Sequence, residues 1–152
     1  MRRNKLSLYV HFVWTTWDRL PLITPAIERA LYRNIIESAQ SLGCRVLAIN
    51  GVEDHVHVFL ALPSTVSIAE LVQKMKGASA HFVNNQMALE YHFKWQGFYG
   101  AFSVSRWDIS KIINYIKNQK EHHANDDLWP EFETAFEHID PRKKSEESTQ
   151  TG

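Results

Sequence analysis

The sequence predicts an α+β sandwich of ferredoxin- or RRM-like kind: a mostly antiparallel sheet with helices on one face and a further helix at the C-terminal end. Three observations carry this. Strand-like and helix-like segments follow one another in the order β-α-β-β-α-β-α. The two central strands are separated by only four residues, which imposes a hairpin. The 152 residues are 44% hydrophobic and 12% aromatic, enough for one well-filled core and too apolar for a disordered chain.

Each element has its own signal. Tyr9-Val10-His11-Phe12-Val13-Trp14 is aromatic and β-branched, as a strand requires, and Trp17-Asp18-Arg19-Leu20-Pro21 ends it in a loop. Thr24 and Pro25 supply an N-cap and a first-position proline. Ile27, Leu31, Ile35, Ala39 and Leu42 then recur at helical spacing until Gly43 stops the helix. Arg45 to Asn50 reads as the second strand, Gly51 to Asp54 as a tight connection, and His55-Val56-His57-Val58-Phe59-Leu60 as the hairpin partner. Ser67-Ile68-Ala69-Glu70 fits a capping box, and Ile68, Val72, Met75, Ser79 and Phe82 line one face of a helix running to about Asn85. Ala101 to Ser105 is a fourth strand, and a last helix is expected from Asp108, as N-cap, to about His123. The polar residues 141–152 lack the apolar content to pack and are expected to form a disordered tail.

Composition narrows the chemistry. A single cysteine, Cys44, excludes an intramolecular disulfide, a dithiol redox pair and a thiolate zinc site. The first residues alternate in polarity instead of forming a signal peptide, and no apolar run approaches the ~18–20 residues that span a bilayer, so a cytoplasmic protein without membrane contact is expected. The formal net charge is zero, but it is unevenly spread. Residues 1–120 carry 14 Lys/Arg against 8 Asp/Glu, a net +6, and residues 121–152 carry 3 against 9, a net −6. Such asymmetry suits a polyanionic partner met by the body of the chain.

On a strand, alternate side chains share a face, so His55 and His57 present two imidazoles side by side while Val56 turns to the core. That is metal-ligand geometry, although one buried and one surface histidine on an ordinary strand would read the same. On the last helix Ile109, Ile112, Ile113 and Ile116 gather on one side. Lys111, Tyr115, Asn118, Gln119 and His122 form a separate polar stripe, with Tyr115 and Gln119 one turn apart. A solvated helix face would show the same pattern.

Together these features resemble the single-tyrosine HUH transposases of the insertion sequence 200/605 family, including their REP-associated relatives. The resemblance rests on Asp54-His55-Val56-His57, on Trp95-Gln96-Gly97-Phe98-Tyr99 and on Tyr115-Ile116-Lys117-Asn118-Gln119, with the aromatic opening strand and Arg19, and covers about residues 6 to 125. It implies a transposase domain over residues 1–140 in which the last helix is catalytic. His55, His57 and Gln119 would hold a divalent cation, Mg or Mn, and Tyr115 would attack a phosphodiester of single-stranded DNA to form a 5′-phosphotyrosine. The implied substrate has hairpin-containing ends, and the implied assembly is a homodimer.

A phenol with an ordinary pKa of about 10 needs a base or a positive field, and Lys111 and His122 stand on the same stripe for tuning or phosphate contact. Trp17, beside Arg19, is the tryptophan expected to be exposed for stacking on DNA. His11 is expected to pack or to face DNA, and His81, His92, His123 and His138 to have structural or solvent roles. Two other readings remain at this level: an HUH nickase serving replication or chromosomal repeats, and a non-catalytic RRM-like module whose sheet displays Phe59 beside structural histidines.

Overall fold

The computed structural model describes residues 4–124. The tail expected at 141–152, His138 and the C-terminal end of the 1–140 domain lie outside the described residues. β1 (Tyr9–Thr15), α1 (Pro25–Ser41), β2 (Arg45–Val52), β3 (His55–Ala61), α2 (Ile68–Gln86), β4 (Gly100–Val104), α3 (Ile109–Lys117) and α4 (Gln119–Ala124) follow in the predicted order. The sheet runs β2-β3-β1-β4, with every neighbouring pair antiparallel. β3 thus lies between β1 and β2, and β1 lies between β3 and β4, as in two interlocked split β-α-β units.

The pleat divides the sheet into two faces with different chemistry. Val10, Phe12 and Trp14 of β1 and Val56, Val58 and Leu60 of β3 join Ile27, Leu31 and Ile35 of α1 and Leu71, Val72 and Met75 of α2 in the main core. Each such side chain contributes roughly 1.5–3 kcal/mol by leaving water. On the opposite face Ala48 and Phe59 pack with Ile112, Tyr115 and Ile116, so α3 closes a second, smaller core over β2 and β3.

Local signals behave unequally. Ser67 caps α2 as expected, its Oγ accepting from the Glu70 N–H at 3.1 Å. Thr24 makes no side-chain cap, and the start of α1 rests on Pro25 at its first turn. At the last helix the capping side chain is Ser105, which accepts from the Trp107 N–H, and a 3-10 turn over Arg106–Asp108 separates it from α3. That helix is also not continuous. Asn118, at φ −98° and ψ 19°, breaks it into α3 and α4.

The segment between α2 and β4 is built on few regular elements but is firmly held. Trp95 Nε1 donates to Ser79 Oγ at 3.0 Å and its ring meets Trp14 edge-on. Lys76 Nζ donates to the carbonyls of Gln96 and Phe98, and burial lowers its ammonium pKa to about 8. Gln96 in turn holds the end of β1, its N–H donating to the Thr15 carbonyl and its Oε1 accepting from the Asp18 N–H.

The β2–β3 turn contains only Glu53 and Asp54, and it needs Gly51 beside it. A Cβ on Gly51 would stand 2.2 Å from the His55 carbonyl oxygen and 2.9 Å from Val56 Cα, both backbone atoms that cannot step aside. Gly51→Ala is therefore expected to destabilise the fold by about 2 kcal/mol or more, read as a lowered urea midpoint with an unchanged m-value. A wild-type midpoint would show that the hairpin is not packed this tightly.

Candidate functional site

The two histidines that alternate on β3 sit at the centre of the second face. Register places His55 opposite Thr15 and Val52, and His57 opposite Val13 and Asn50. Both are fully buried, unlike the one buried and one surface histidine of an ordinary strand, because α3 and α4 cover them. Their rings lie 5.2 Å apart, edge to face.

Each imidazole has its Nδ1 engaged by a different neighbour. His55 Nδ1 is 2.7 Å from Asp54 Oδ1, and Arg19 Nε approaches the other carboxylate oxygen at 3.4 Å. Burial alone would raise the Asp54 pKa, but the hydrogen bond and charge of His55 and the charge of Arg19 outweigh it and hold the carboxyl below its ordinary value. His57 Nδ1 is 2.8 Å from His11 Nε2. Arg19 reaches this position from a 3-10 turn over Trp17–Arg19 in which Asp18 and Arg19 have φ of 54° and 53°. Two successive non-glycine residues in the left-handed region are strained, and here the strain sits beside the histidine pair.

α3 and α4 bring the remaining groups over the pair. The Tyr115 ring meets His57 edge-on at 5.9 Å, and the His123 ring lies 4.8 Å from His55. Gln119 lies one turn after Tyr115 and one turn before His123, and is fully buried. Its Oε1 and Nε2 have no hydrogen-bond partner among the described residues. A buried amide left unsatisfied is costly, and this one is bracketed by the two side chains that touch the histidines. Among the described residues no group of three His, Cys, Asp or Glu side chains is arranged to hold a metal. Two imidazoles with a carboxamide are nonetheless a donor set suited to a divalent cation, and the orphaned amide fits that use.

Asn50 ties the helices to the sheet. Its Nδ2 donates to the Lys117 carbonyl at 2.9 Å, one of the carbonyls that the end of α3 leaves without a helical partner, and its Oδ1 accepts from Lys120 Nζ at 2.8 Å. Lys120 also pairs with Glu28 of α1 and donates to the Gly51 carbonyl.

A sequence profile of the family described as "Transposase IS200 like" matches residues 4–119, from before β1 to Gln119 itself. The chain belongs to the IS200-like transposase family. It is 26% identical over 120 residues to the ISDra2 transposase TnpA of Deinococcus radiodurans, across 76% of this chain and 86% of that one. Its fold matches a crystal structure from D. radiodurans R1 described as a transposase, with TM-score 0.59 and 24% identity over 78% of this chain and 96% of that one. It also matches a REP-associated tyrosine transposase bound to a REP hairpin, with TM-score 0.61 and 16% identity over 81% and 74% of the two chains.

Within this IS200-like transposase the residues singled out from sequence do not all converge. His55, His57 and Tyr115 do, and Gln119 is buried four residues after Tyr115. Tyr115 is 2% exposed with its ring against His57, and Gln119 is fully buried, so part of the polar stripe is turned away from solvent. His122 is half-buried and stacks on the Tyr115 ring at 5.0 Å. Lys111 is exposed on α3, one turn before Tyr115. Arg19 is engaged by Asp54, and Trp17 is exposed with Lys94 Nζ 3.9 Å above its ring. Trp17 is not the most exposed tryptophan, however. Trp107 is 80% exposed, with the Arg106 guanidinium over its ring. Sequence reasoning also missed His11, His123 and Asn50. His11 read as a packing or DNA-facing strand residue and His123 as one of a polar region, and Asn50 reaches the histidine face only because β2 bulges between Val46 and Ala48.

If Asn50 holds α3 and α4 down, Asn50→Ala removes both hydrogen bonds at about 1 kcal/mol each or less, leaving the main core untouched. Hydrogen exchange should accelerate at the amides of Lys117 to Ala124 with little change in α1 and α2. Uniform protection in both regions would sink this assignment.

No helix among the described residues is long and apolar enough to cross a membrane.

Proposed function

We propose that this chain is a DNA transposase that cleaves and rejoins single-stranded DNA through a covalent 5′-phosphotyrosine on Tyr115. The observation that carries the reading is the placement of Tyr115 edge-on to His57 with the buried Gln119 amide one turn away. The histidine pair and the last helix gave separate, individually weak sequence signals, and the fold packs them together.

His55, His57 and Gln119 would hold the divalent cation, Mg or Mn. When bound, such an ion withdraws electron density from the scissile phosphate and offsets charge in the in-line displacement. The rest falls to the chain's own groups. The Tyr115 oxygen forms a bond to phosphorus as its phenolic proton leaves, and the bond from phosphorus to the 3′ oxygen breaks, that oxygen taking up a proton. The tyrosyl ester keeps the phosphodiester energy, so a second 3′ hydroxyl can reverse the step on a new strand without ATP. His122, stacked on the Tyr115 ring, and Lys111, one turn before it, supply the polar groups beside the phenol. The net +6 of residues 1–120, with Arg19 and Trp17, meets the strand, and hairpin-containing ends and a homodimer belong to the same reading.

The RRM-like alternative loses its platform. Phe59, the aromatic that would have offered a base-stacking face, is fully buried in the small core with Ile112, Tyr115 and Ile116.

Tyr115→Phe keeps the ring and deletes the attacking oxygen. It is expected to abolish the covalent adduct with single-stranded DNA from the chain's own locus while leaving DNA affinity within about twofold and the circular dichroism unchanged. An adduct that persists, or that mass spectrometry maps to Tyr91 or Tyr99, would move the nucleophile elsewhere. His57→Gln, chosen because truncation to Ala would open a cavity at a fully buried position, should lower cleavage by about two orders of magnitude, and chelation of the wild type should do the same. Undiminished cleavage under excess chelator would remove the metal from the reading.

A further inference from the structure

His11 lies on the aromatic opening strand, outside the three motif stretches, and is as deeply buried as the His57 it touches. It is on β1, in register with Phe59 of β3 and Phe102 of β4, so it stands on the histidine face next to the column that carries His55 and His57. Its ring lies 5.0 Å from that of His57 at 29°, with Nε2 2.8 Å from His57 Nδ1. A solvent-facing or DNA-facing histidine has no reason to be sealed in this way.

A neutral imidazole has one N–H and one lone pair, so the partner of one nitrogen decides what the other can do. Two arrangements fit a 2.8 Å contact. If His11 donates, His57 accepts at Nδ1 and carries its proton on Nε2, which leaves no lone pair there for a cation. If His57 donates from Nδ1, its Nε2 keeps the lone pair. Only the second is compatible with His57 as a ligand. Asp54 imposes the same choice on His55 by a different group, because a carboxylate can only accept from His55 Nδ1–H.

We infer that His11 is the positioning residue of the site: its Nε2 accepts from His57 Nδ1–H, fixing the tautomer and ring plane of His57 so that Nε2 is presented to the cation. This rests on the metal reading of the histidine pair. The two ligands are therefore oriented by unlike partners, an anionic carboxylate for His55 and a neutral imidazole for His57. The more basic ligand is His55, and the orientation of His57 depends on a neutral hydrogen bond to His11.

The tautomer can be read without metal, DNA or a variant. In the full-length chain with 15N-labelled histidine, long-range proton–nitrogen correlation should show His57 protonated at Nδ1 and unprotonated at Nε2, and His11 unprotonated at Nε2. Metal uptake tests the consequence. Titration calorimetry with Mn2+ alone should give His11→Phe an affinity about 10- to 100-fold below wild type, the range for loss of a ligand's orienting partner. His11→Gln, whose Oε1 can accept from the same Nδ1–H, should recover most of it. A merely structural role would instead lower the melting temperature of both variants and leave Mn2+ affinity in parallel with it. His57 found protonated at Nε2, or a folded His11→Phe that binds Mn2+ like wild type, overturns the inference while leaving the metal reading intact. A wild-type chain that takes up no Mn2+ overturns both.

Discussion

The site depends on the two-residue period of β3. Because side chains on a strand alternate, the run from His55 to Leu60 sends Val56, Val58 and Leu60 into the main core and His55, His57 and Phe59 to the other face. A slip of one residue would bury two imidazoles among α1 and α2 and turn the valines to the face that α3 and α4 cover, so the apolar core enforces the position of the polar site. The main core is the larger source of burial energy, and the histidines are aligned by interactions they do not themselves make.

The second face is less apolar, and polar contacts supplement its packing. Ala48, Phe59, Ile112 and Ile116 give α3 a hold on the sheet, but the junction to α4 is carried by Asn50 and Lys120. The break at Asn118 has a geometric use. A continuous helix would carry α4 straight on past the sheet, whereas the altered backbone at Asn118 accompanies a fully buried Gln119 and a His123 ring against His55. The carbonyls freed by the break are then available to Asn50.

Much of this was legible in the sequence, for reasons that differ by element. The strands and helices were visible because their apolar periods are long and bounded by Pro25, Gly43 and Ser67, and the histidine pair because the strand period is rigid. The burial of Tyr115 and Gln119 was legible only through the family resemblance, not through spacing. Helical spacing sorted them into a polar stripe, and polarity alone cannot distinguish a face turned to water from one turned to a polar site. Nor could the bulge at Leu47 be read: Val46 and Ile49 both pack toward the main core, an odd spacing that no alternating pattern predicts. His11 was recognised as a strand residue, but its bond to His57 joins residues 46 positions apart and depends on the β1–β3 register.

The turn at Glu53 and Asp54 shows how tightly this part of the molecule is dimensioned. Its carbonyls are not left to solvent. The Asp54 oxygen accepts from the Thr16 N–H and hydroxyl, and the Glu53 oxygen from the Ile23 N–H, while the Asp54 carboxylate joins Arg19 to His55. Hairpin tips are ordinarily where chains accept extra residues most readily. Here one added residue would have to displace the Thr16–Ile23 segment, the strained Trp17–Arg19 turn and the first histidine together. Length variation in the molecule is thus excluded from a loop whose size alone would suggest tolerance, and a tag or inserted domain placed at this tip would be felt directly at His55.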